Sequence, residues 1–220
     1  MSTEVHVVET PTHGRVLVRR GHASDARYLF GFHGYLENAD IQMTRLAAIP
    51  GSDRWTLVSV QALSRVYRGR TEEIAASWMT RQDRDHAIAD NVRYADAVIA
   101  KVVRTSEAEA EIVHVGFSQG AAMAFRAATR AAAPAAGVVS ICADVPPELL
   151  ADRSVVFPPV LFARGRHDEW MTQEKFDRDL AALRERGADV HPLVFDGGHE
   201  WTEEVCVAVG EFVARFAGHV

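Results

Sequence analysis

Residues 111–120 read Glu-Ile-Val-His-Val-Gly-Phe-Ser-Gln-Gly. The first five are mostly apolar, as in a buried strand, and the last five form a G-x-S-x-G pattern around Ser118. The residues from 119 to about 132 favour a helix. A strand that turns sharply into a helix presents the serine at the bend, next to the free N–H groups of the helix N-terminus. The stretch therefore predicts a candidate nucleophile, whereas the simpler interpretation is a tight turn capped by serine.

Apolar segments on both sides of this unit alternate between strand and helix patterns. The predicted strands cover residues 4–8, 15–19, 28–32, 55–60, 111–115, 137–142, 159–163 and 190–195. The predicted helices start at Asn38, cover residues 83–103 and 119–132, end at Gly187, and form a last apolar stripe from Val205 to Phe216. The first two strands are expected to form a hairpin, and residues 61–82 are the longest irregular stretch.

This alternation predicts an α/β fold with a mainly parallel central sheet and helices on both faces. Without repeats or linkers, residues 1–220 are expected to form one domain without a large cap domain. Ligands of such sheets bind beyond the carboxyl ends of the strands. Chemistry is therefore expected in the loops that follow Phe32, Val115, Ala163 and Phe195.

A candidate base follows the last predicted strand. His199 ends the sequence Asp196-Gly-Gly-His, on a flexible loop that could bring the imidazole to Ser118. His167 could replace it. His114 and His191 lie within strands, where a structural position is expected.

A candidate acid lies in the loop after Ala163. Asp168 could orient His199 and stabilise its protonated form, and the order Ser118, Asp168, His199 is the order found in α/β-hydrolases. The alternatives are Glu169, Asp144 and Asp196.

An oxyanion hole requires two N–H donors that face the developing negative charge. One is expected from the backbone of Gln119, which follows the nucleophile. The other is expected from the loop after Phe32, most simply from Tyr35, with His33 and Gly34 shaping the turn. A plain strand-to-loop turn is the alternative interpretation.

With these motifs the chain resembles the phospholipase/carboxylesterase family of α/β-hydrolases, from about Tyr28 to its C-terminus. The matching segments are Phe32-His-Gly, Ser77-Trp-Met, Gly116-Phe-Ser-Gln-Gly, Gly165-Arg-His-Asp and Gly197-Gly-His. The resemblance implies the α/β-hydrolase fold, the same triad, hydrolysis of small esters, lysophospholipids or acyl thioesters, and a homodimer in some members.

The chain departs from the family pattern in two loops. It reads Tyr35-Leu-Glu-Asn where the family often has Gly-Asp, and Glu169-Trp-Met where the family often has Val-Pro. Both loops border the expected pocket. The predicted pocket walls are Leu36, Trp78, Met79, Trp170 and Met171. An arginine of the 61–82 segment is expected to contact an anionic substrate, from among Arg65, Arg68, Arg70 and Arg81, although solvated arginines are the alternative.

Composition restricts the partners. A net charge of −6 argues against nucleic-acid binding. The two cysteines, Cys142 and Cys206, are expected to be buried thiols. No metal cluster, phosphate-binding loop, signal peptide or membrane span is evident, so we expect a cytoplasmic protein without a cofactor or stable membrane insertion.

The leading functional hypothesis is a carboxylesterase that forms an acyl-enzyme from a small-molecule ester. A lysophospholipase or acyl-protein thioesterase, an acyltransferase and a non-catalytic binding protein with the same fold are the alternatives. The binding protein would not need the serine, acid and histidine together.

Overall fold

A seven-stranded sheet forms the centre of the protein. The computed structural model describes residues 2–22, 26–104 and 110–216. The strands are β1 (Arg15–Arg19), β2 (Arg27–Phe32), β3 (Thr56–Gln61), β4 (Ser64–Tyr67), β5 (Ile74–Ser77), β6 (Glu111–Phe117), β7 (Gly137–Ile141), β8 (Val160–Gly165) and β9 (Val190–Phe195). The helices are α1 (Ala39–Ala48), α2 (Arg84–Val102), α3 (Gln119–Arg130), α4 (Pro147–Ala151), α5 (Gln173–Glu185) and α6 (Glu203–Ala214), with a short 3₁₀ turn at Ser52–Arg54.

The strand order in the sheet is β1-β3-β2-β6-β7-β8-β9. Strands from β3 to β9 in this order pair in parallel, and only β1 is antiparallel to its neighbour β3. The prediction of a mainly parallel α/β sheet is confirmed. Because β6, β8 and β9 run in the same direction, the loops that follow them lie at one edge of the sheet.

Helices cover both faces of the sheet. On one face the core includes Ile99 of α2, Met123 of α3 and Phe176 of α5. On the other face it includes Leu46 of α1 and Val209 of α6. Successive strand residues point to opposite faces, so strands buried between two helical layers are apolar on both sides.

The predicted opening hairpin is wrong. Residues 4–8 lie outside any strand, and Val5 is 86% exposed. Strand β1 instead pairs with β3, where Val16 and Leu17 pack against the two opposite core layers. A two-stranded hairpin offers little burial by itself, so the sheet edge is the better partner for β1.

The interpretation of residues 61–82 as irregular is also wrong. This segment contains the antiparallel hairpin of β4 and β5, whose turn includes Gly69 at φ 59°. Strand β4 is exposed, so it lacks the burial pattern that identifies the central strands. A bridge between Glu37 and Ala76 connects this hairpin to the loop after β2.

Other predicted boundaries agree within a few residues. The side chain of Asn38 caps α1 by accepting a hydrogen bond from the Ile41 N–H at 3.0 Å, as its position predicts. Helix α4 was not predicted, because its five residues are too few to show helical periodicity.

His114 in β6 is a polar residue in an apolar core. It is fully buried against Phe30 and Phe32, and neither ring nitrogen has a hydrogen-bond partner among the described residues. Burial lowers the pKa of His114 to about 3. The folded protein therefore holds this imidazole in its neutral form.

Replacing His114 with leucine should raise the free energy of unfolding by about 1–3 kcal/mol at pH 7, since unsatisfied buried nitrogens are costly. Between pH 6.5 and about 3 the unfolded chain binds a proton that the folded chain does not. The free energy of unfolding of the wild type should therefore decrease as the pH is lowered through this range. The difference in this free energy between His114→Leu and the wild type should grow by about 1.4 kcal/mol for each pH unit of acidification. Urea unfolding of both proteins at pH 7 and pH 5 measures this difference. An advantage that does not grow at pH 5 would contradict the prediction.

Candidate active site

Three side chains from the ends of separate strands form a continuous hydrogen-bonded chain. The Nε2 atom of His199 lies 2.8 Å from Oγ of Ser118, and its Nδ1 atom lies 2.9 Å and 3.1 Å from the two carboxylate oxygens of Asp168. An ionised carboxylate only accepts, so Nδ1 carries the proton and Nε2 is free to accept from the serine hydroxyl. This is the arrangement of a nucleophile, a base and an orienting acid.

The backbone at Ser118 forms a strained turn. Ser118 has φ 52° and ψ −125°, a conformation that non-glycine residues rarely adopt. A side chain at Gly116 would collide with the backbone of Ala121, and one at Gly120 would collide with the Phe32 carbonyl oxygen. Both glycines of the motif are therefore required by close backbone packing around the turn.

The carboxylate of Asp168 is held in place by its own loop. The side chain is buried, and its Oδ1 atom accepts hydrogen bonds from the N–H groups of Trp170 at 2.8 Å and Met171 at 2.9 Å. Burial alone would raise the pKa of Asp168, but hydrogen bonds from Met171, the Cys142 thiol and His199 hold that pKa below its ordinary value. The acid therefore stays ionised beside the imidazole.

The Asp168 and His199 loops are joined directly. The His167 N–H donates to the Gly197 carbonyl at 2.9 Å. A side chain at Gly165 would collide with the Gly198 carbonyl oxygen, so glycine is required there for the approach of the two loops. These contacts fix the separation between the acid and the base.

The alternative acids and the alternative base are engaged or exposed elsewhere. Asp144 lies 3.6 Å from both Lys175 and Arg178. Asp196 and His167 form an exposed pair at 3.5 Å. Glu169 is also exposed. Within the described ranges, only Asp168 of the four candidate acids contacts His199.

Cys142 lies beside the triad. Its sulfur, a carboxylate oxygen of Asp168 and a ring nitrogen of His199 lie within 4.8 Å of one another, so the three could act as metal ligands. Burial raises the pKa of the Cys142 thiol to about 12, which keeps it protonated in the metal-free protein. Hydrogen bonding with Ser118 accounts for the orientation of His199 without a metal.

The predicted oxyanion donors lie next to the nucleophile. Gln119 is the first residue of α3, where the backbone N–H has no acceptor within the helix. Tyr35, Gln119, Ser118 and His199 line the same cavity. Their placement is compatible with the predicted hole, and the donor role of Tyr35 and Gln119 stays a prediction.

The side chain of His33 fixes the loop that carries Tyr35. Its Nε2 atom accepts from the Ala62 N–H at 3.1 Å, so Nδ1 carries the proton and donates to the Gly34 carbonyl at 2.7 Å. Burial lowers the pKa of His33, so the ring stays neutral. His33 therefore shapes the turn, as the sequence predicts.

Glu37 and Arg45 form a second support for this loop, which the sequence analysis missed. Glu37 accepts from the Gly34 N–H at 2.7 Å and from two nitrogens of Arg45 at 2.5 Å and 2.7 Å. Although burial acts to raise the pKa of Glu37, the hydrogen bonds from Arg45 lower it below its ordinary value. The Arg45 guanidinium also lies 4.3 Å from the centre of the Phe117 ring, which packs against His199. The only signal in the sequence was the departure from the family pattern at Glu37.

Replacing Glu37 with glutamine should lower kcat for ester hydrolysis by about 10-fold, because an amide weakens the hold on Gly34 and displaces the Tyr35 N–H. KM should change much less. Steady-state kinetics measures both constants, and Glu72→Gln, an exposed residue in the turn between β4 and β5, is the matched control. A rise in KM with an unchanged kcat would instead indicate a role in substrate binding.

The prediction that Trp78 and Leu36 form pocket walls is wrong. Trp78 is buried, and its indole N–H donates to the His33 carbonyl at 2.8 Å beneath the site. The backbone N–H of Leu36 donates to the Ala76 carbonyl of the β4–β5 hairpin at 3.0 Å. Neither residue lines the cavity.

The side chain of Gln119 explains the burial of Trp78. Its amide oxygen accepts from the Trp78 N–H at 2.8 Å, and its amide nitrogen donates to the Met79 carbonyl at 2.8 Å. The glutamine of the G-x-S-x-G motif thus holds the 77–79 segment against α3. Met79 is left at the cavity wall.

The cavity at Ser118 has a volume of about 980 Å³. Met79, Trp170 and Met171 line it, and their contact with a substrate stays a prediction. Of the four predicted arginines only Arg81 reaches it, and the other cationic wall residues were missed because they lie on helices. These are Arg84, Arg126 and Lys175.

Comparisons with known proteins identify a similar family and similar folds. The model of the phospholipase/carboxylesterase family matches residues 73–176, which include the elbow and Asp168. The resemblance to that family is confirmed. A comparison with curated proteins finds no match.

Several solved structures are similar in fold to this chain. Acyl-protein thioesterase 2 of Zea mays has a TM-score of 0.72 and 18% identity, with 94% of this chain and 100% of that chain covered. The Bacillus cereus carboxylesterase has a TM-score of 0.71 and 15% identity, with 92% and 94% covered. Esterase PE8 has a TM-score of 0.70 and 21% identity, with 92% and 97% covered. At these identities the likeness establishes the α/β-hydrolase fold.

Among the described residues, none of the helices combines the length and the apolar composition that a membrane span requires. The single domain over residues 1–220, the cytoplasmic location and the homodimer stay predictions.

Proposed function

We propose that this protein is a serine carboxylic-ester hydrolase that cleaves small to medium esters through an acyl-enzyme. The observation that supports this most strongly is the chain of hydrogen bonds from Asp168 through His199 to Ser118, with heavy-atom distances of 2.8–3.1 Å. A binding protein would not need this alignment of a nucleophile with its base.

The proposed reaction uses these groups in two steps. The Oγ atom of Ser118 attacks the ester carbonyl carbon while Nε2 of His199 takes its proton, and the N–H groups of Tyr35 and Gln119 stabilise the oxyanion. The leaving alcohol then takes that proton from His199, and the acyl group stays on Ser118. Water, deprotonated by Nε2 of His199, then attacks the carbonyl carbon of the acyl-enzyme. The bond from this carbon to Oγ of Ser118 breaks, His199 returns the proton to Oγ, and the acid is released.

Thioester hydrolysis is the second candidate. It follows the same steps with a thiol as the leaving group, and the structurally similar Zea mays protein is an acyl-protein thioesterase. A cavity of about 980 Å³ is at the upper end of the range for small-molecule sites, which favours an acyl chain longer than acetate.

A panel of 4-nitrophenyl esters from acetate to palmitate, with matched thioesters, tests both candidates. We expect kcat/KM to be highest for short or medium chains and Ser118 to be labelled by a fluorophosphonate. Rates that rise up to palmitate, or a strong thioester preference, would favour the second candidate. Absence of both turnover and labelling would overturn the proposal.

A further inference from the structure

Three arginines from different elements share one cavity with Ser118. Arg81 follows the β4–β5 hairpin, Arg84 begins α2, and Arg126 lies on α3. Ser118 is the N-cap of α3, and Ala122 and Arg126 are four residues apart within that helix, so these two lie on one of its faces. At a rise of 1.5 Å per residue, the backbone of Arg126 is about 12 Å along the helix from Ser118. We call Arg81, Arg84 and Arg126 the arginine wall.

Arg126 is buried without a full set of acceptors. Its side chain is 1% exposed, and its Nε and Nη2 atoms lie 2.8 Å and 2.7 Å from a single oxygen of Glu148. The acceptor of Nη1 is the sulfur of Met79 at 3.7 Å. A thioether is a weak acceptor, and buried guanidinium donors ordinarily have stronger partners. Arg126 therefore presents a strong donor at the cavity wall that has capacity for another acceptor.

The arginine wall keeps a positive charge after its contacts with acids are counted. Glu148 faces both Arg126 and Arg84, the latter at 3.9 Å. Arg81 is exposed and has no ion pair within the described part of the chain. Glu148 thus faces two of the three guanidinium groups, and among the described residues Arg81 has no carboxylate partner.

The two acids that line the cavity, Glu37 and Asp144, are already paired. Glu37 is held by Arg45, and Asp144 lies 3.6 Å from both Lys175 and Arg178. The positive wall is therefore a local feature of a protein whose net charge is −6. Such a local field attracts anionic ligands into the cavity.

We propose that the arginine wall binds a carboxylate of the substrate, so that the preferred esters are anionic. This inference rests on the proposed ester hydrolysis and specifies its substrate class. A planar guanidinium matches a carboxylate with two parallel hydrogen bonds, and Nη1 of Arg126 exchanges its weak thioether acceptor for a carboxylate oxygen. The carboxylate belongs either to the acyl part or to the alcohol part of the ester.

Two pairs of substrates distinguish a carboxylate in the acyl part of the ester from one in the alcohol part. The acyl arm compares mono-4-nitrophenyl suberate with its neutral methyl ester, and the alcohol arm compares 4-carboxyphenyl butyrate with 4-carbamoylphenyl butyrate. We expect kcat/KM to be about 10-fold higher for the anionic member in one arm at low ionic strength. The preference should shrink as salt is added. A ratio at or below one in both arms would overturn the inference.

Variants of the wall locate the charge preference. Arg81→Gln changes an exposed residue, so folding should be retained, and we expect it to reduce the anionic preference several-fold. Arg126→Gln should reduce it further. Arg70→Gln is the matched control, because Arg70 is exposed in the β4–β5 turn and does not line the cavity. An equal loss in Arg70→Gln would show a general charge effect and would overturn the inference.

A binding measurement that does not depend on turnover tests the arginine wall independently of the proposed ester hydrolysis. Titration calorimetry of Ser118→Ala with monomethyl suberate should detect binding that Arg81→Gln weakens in the same background. Absence of binding would overturn the arginine wall even where neutral esters are hydrolysed. Failure of ester hydrolysis itself would appear separately, as absent turnover of the neutral esters and absent labelling of Ser118.

Discussion

Ser118→Ala should lower kcat for 4-nitrophenyl butyrate by about 10⁴-fold or more, while the protein stays folded. Alanine removes the oxygen that forms the acyl-enzyme, and loss of a triad nucleophile costs several orders of magnitude in other serine hydrolases. The strained backbone of residue 118, at φ 52°, is imposed by the turn and not by the hydroxyl. Circular dichroism should therefore match that of the wild type.

Ser140→Ala is the matched control for this experiment. Ser140 is a buried serine on the neighbouring strand β7, and its hydroxyl has no partner among the described residues. We expect this variant to keep its turnover and its labelling by a fluorophosphonate. If Ser118→Ala retained more than about a tenth of the wild-type kcat, the proposed nucleophile would be wrong.

Asp168→Asn should lower kcat by roughly 10³- to 10⁴-fold, the next largest effect. The asparagine amide can donate to Nδ1 of His199, which favours the tautomer with its proton on Nε2 and leaves no base for Ser118. The backbone donors of Trp170 and Met171 can still bond the amide oxygen, so the loop should keep its structure. The rate of fluorophosphonate labelling should fall together with kcat.

Two exposed acids close to Asp168 serve as controls. Glu169→Gln and Asp196→Asn remove the same charge without touching His199, and both should keep kcat within about 2-fold of the wild type. A loss in either control as large as that in Asp168→Asn would move the role of the acid to that residue.

Prediction from sequence succeeded where the signal was local and repeated. The 19 residues of α2 and the apolar run of β6 show their type in their own spacing. Prediction failed for β1, because the pairing of an edge strand depends on the tertiary arrangement of the whole sheet. It also failed for the β4–β5 hairpin, because an exposed hairpin lacks a burial pattern in its sequence. Strand β1 pairs with β3, which lies about forty residues further along the chain.

For the candidate site, too, the sequence predicted some features and missed others. The rule that ligands bind at strand ends placed Ser118, Asp168 and His199 at one edge of the sheet. The rule could not rank four acids by burial, could not show that Trp78 lies beneath the site, and could not find the pairing of Glu37 with Arg45. These properties depend on packing between segments that are distant in the chain.

The amino-acid sequence by itself determined the α/β class, the tight turn at Ser118 and the order of the three candidate catalytic residues, because periodicity and glycine spacing act over a few residues. Only the tertiary structure decided which acid meets the imidazole, what supports the Tyr35 loop and where the arginines meet. Hydrogen bonds act over about 3 Å, and chain folding sets that distance between residues far apart in the sequence.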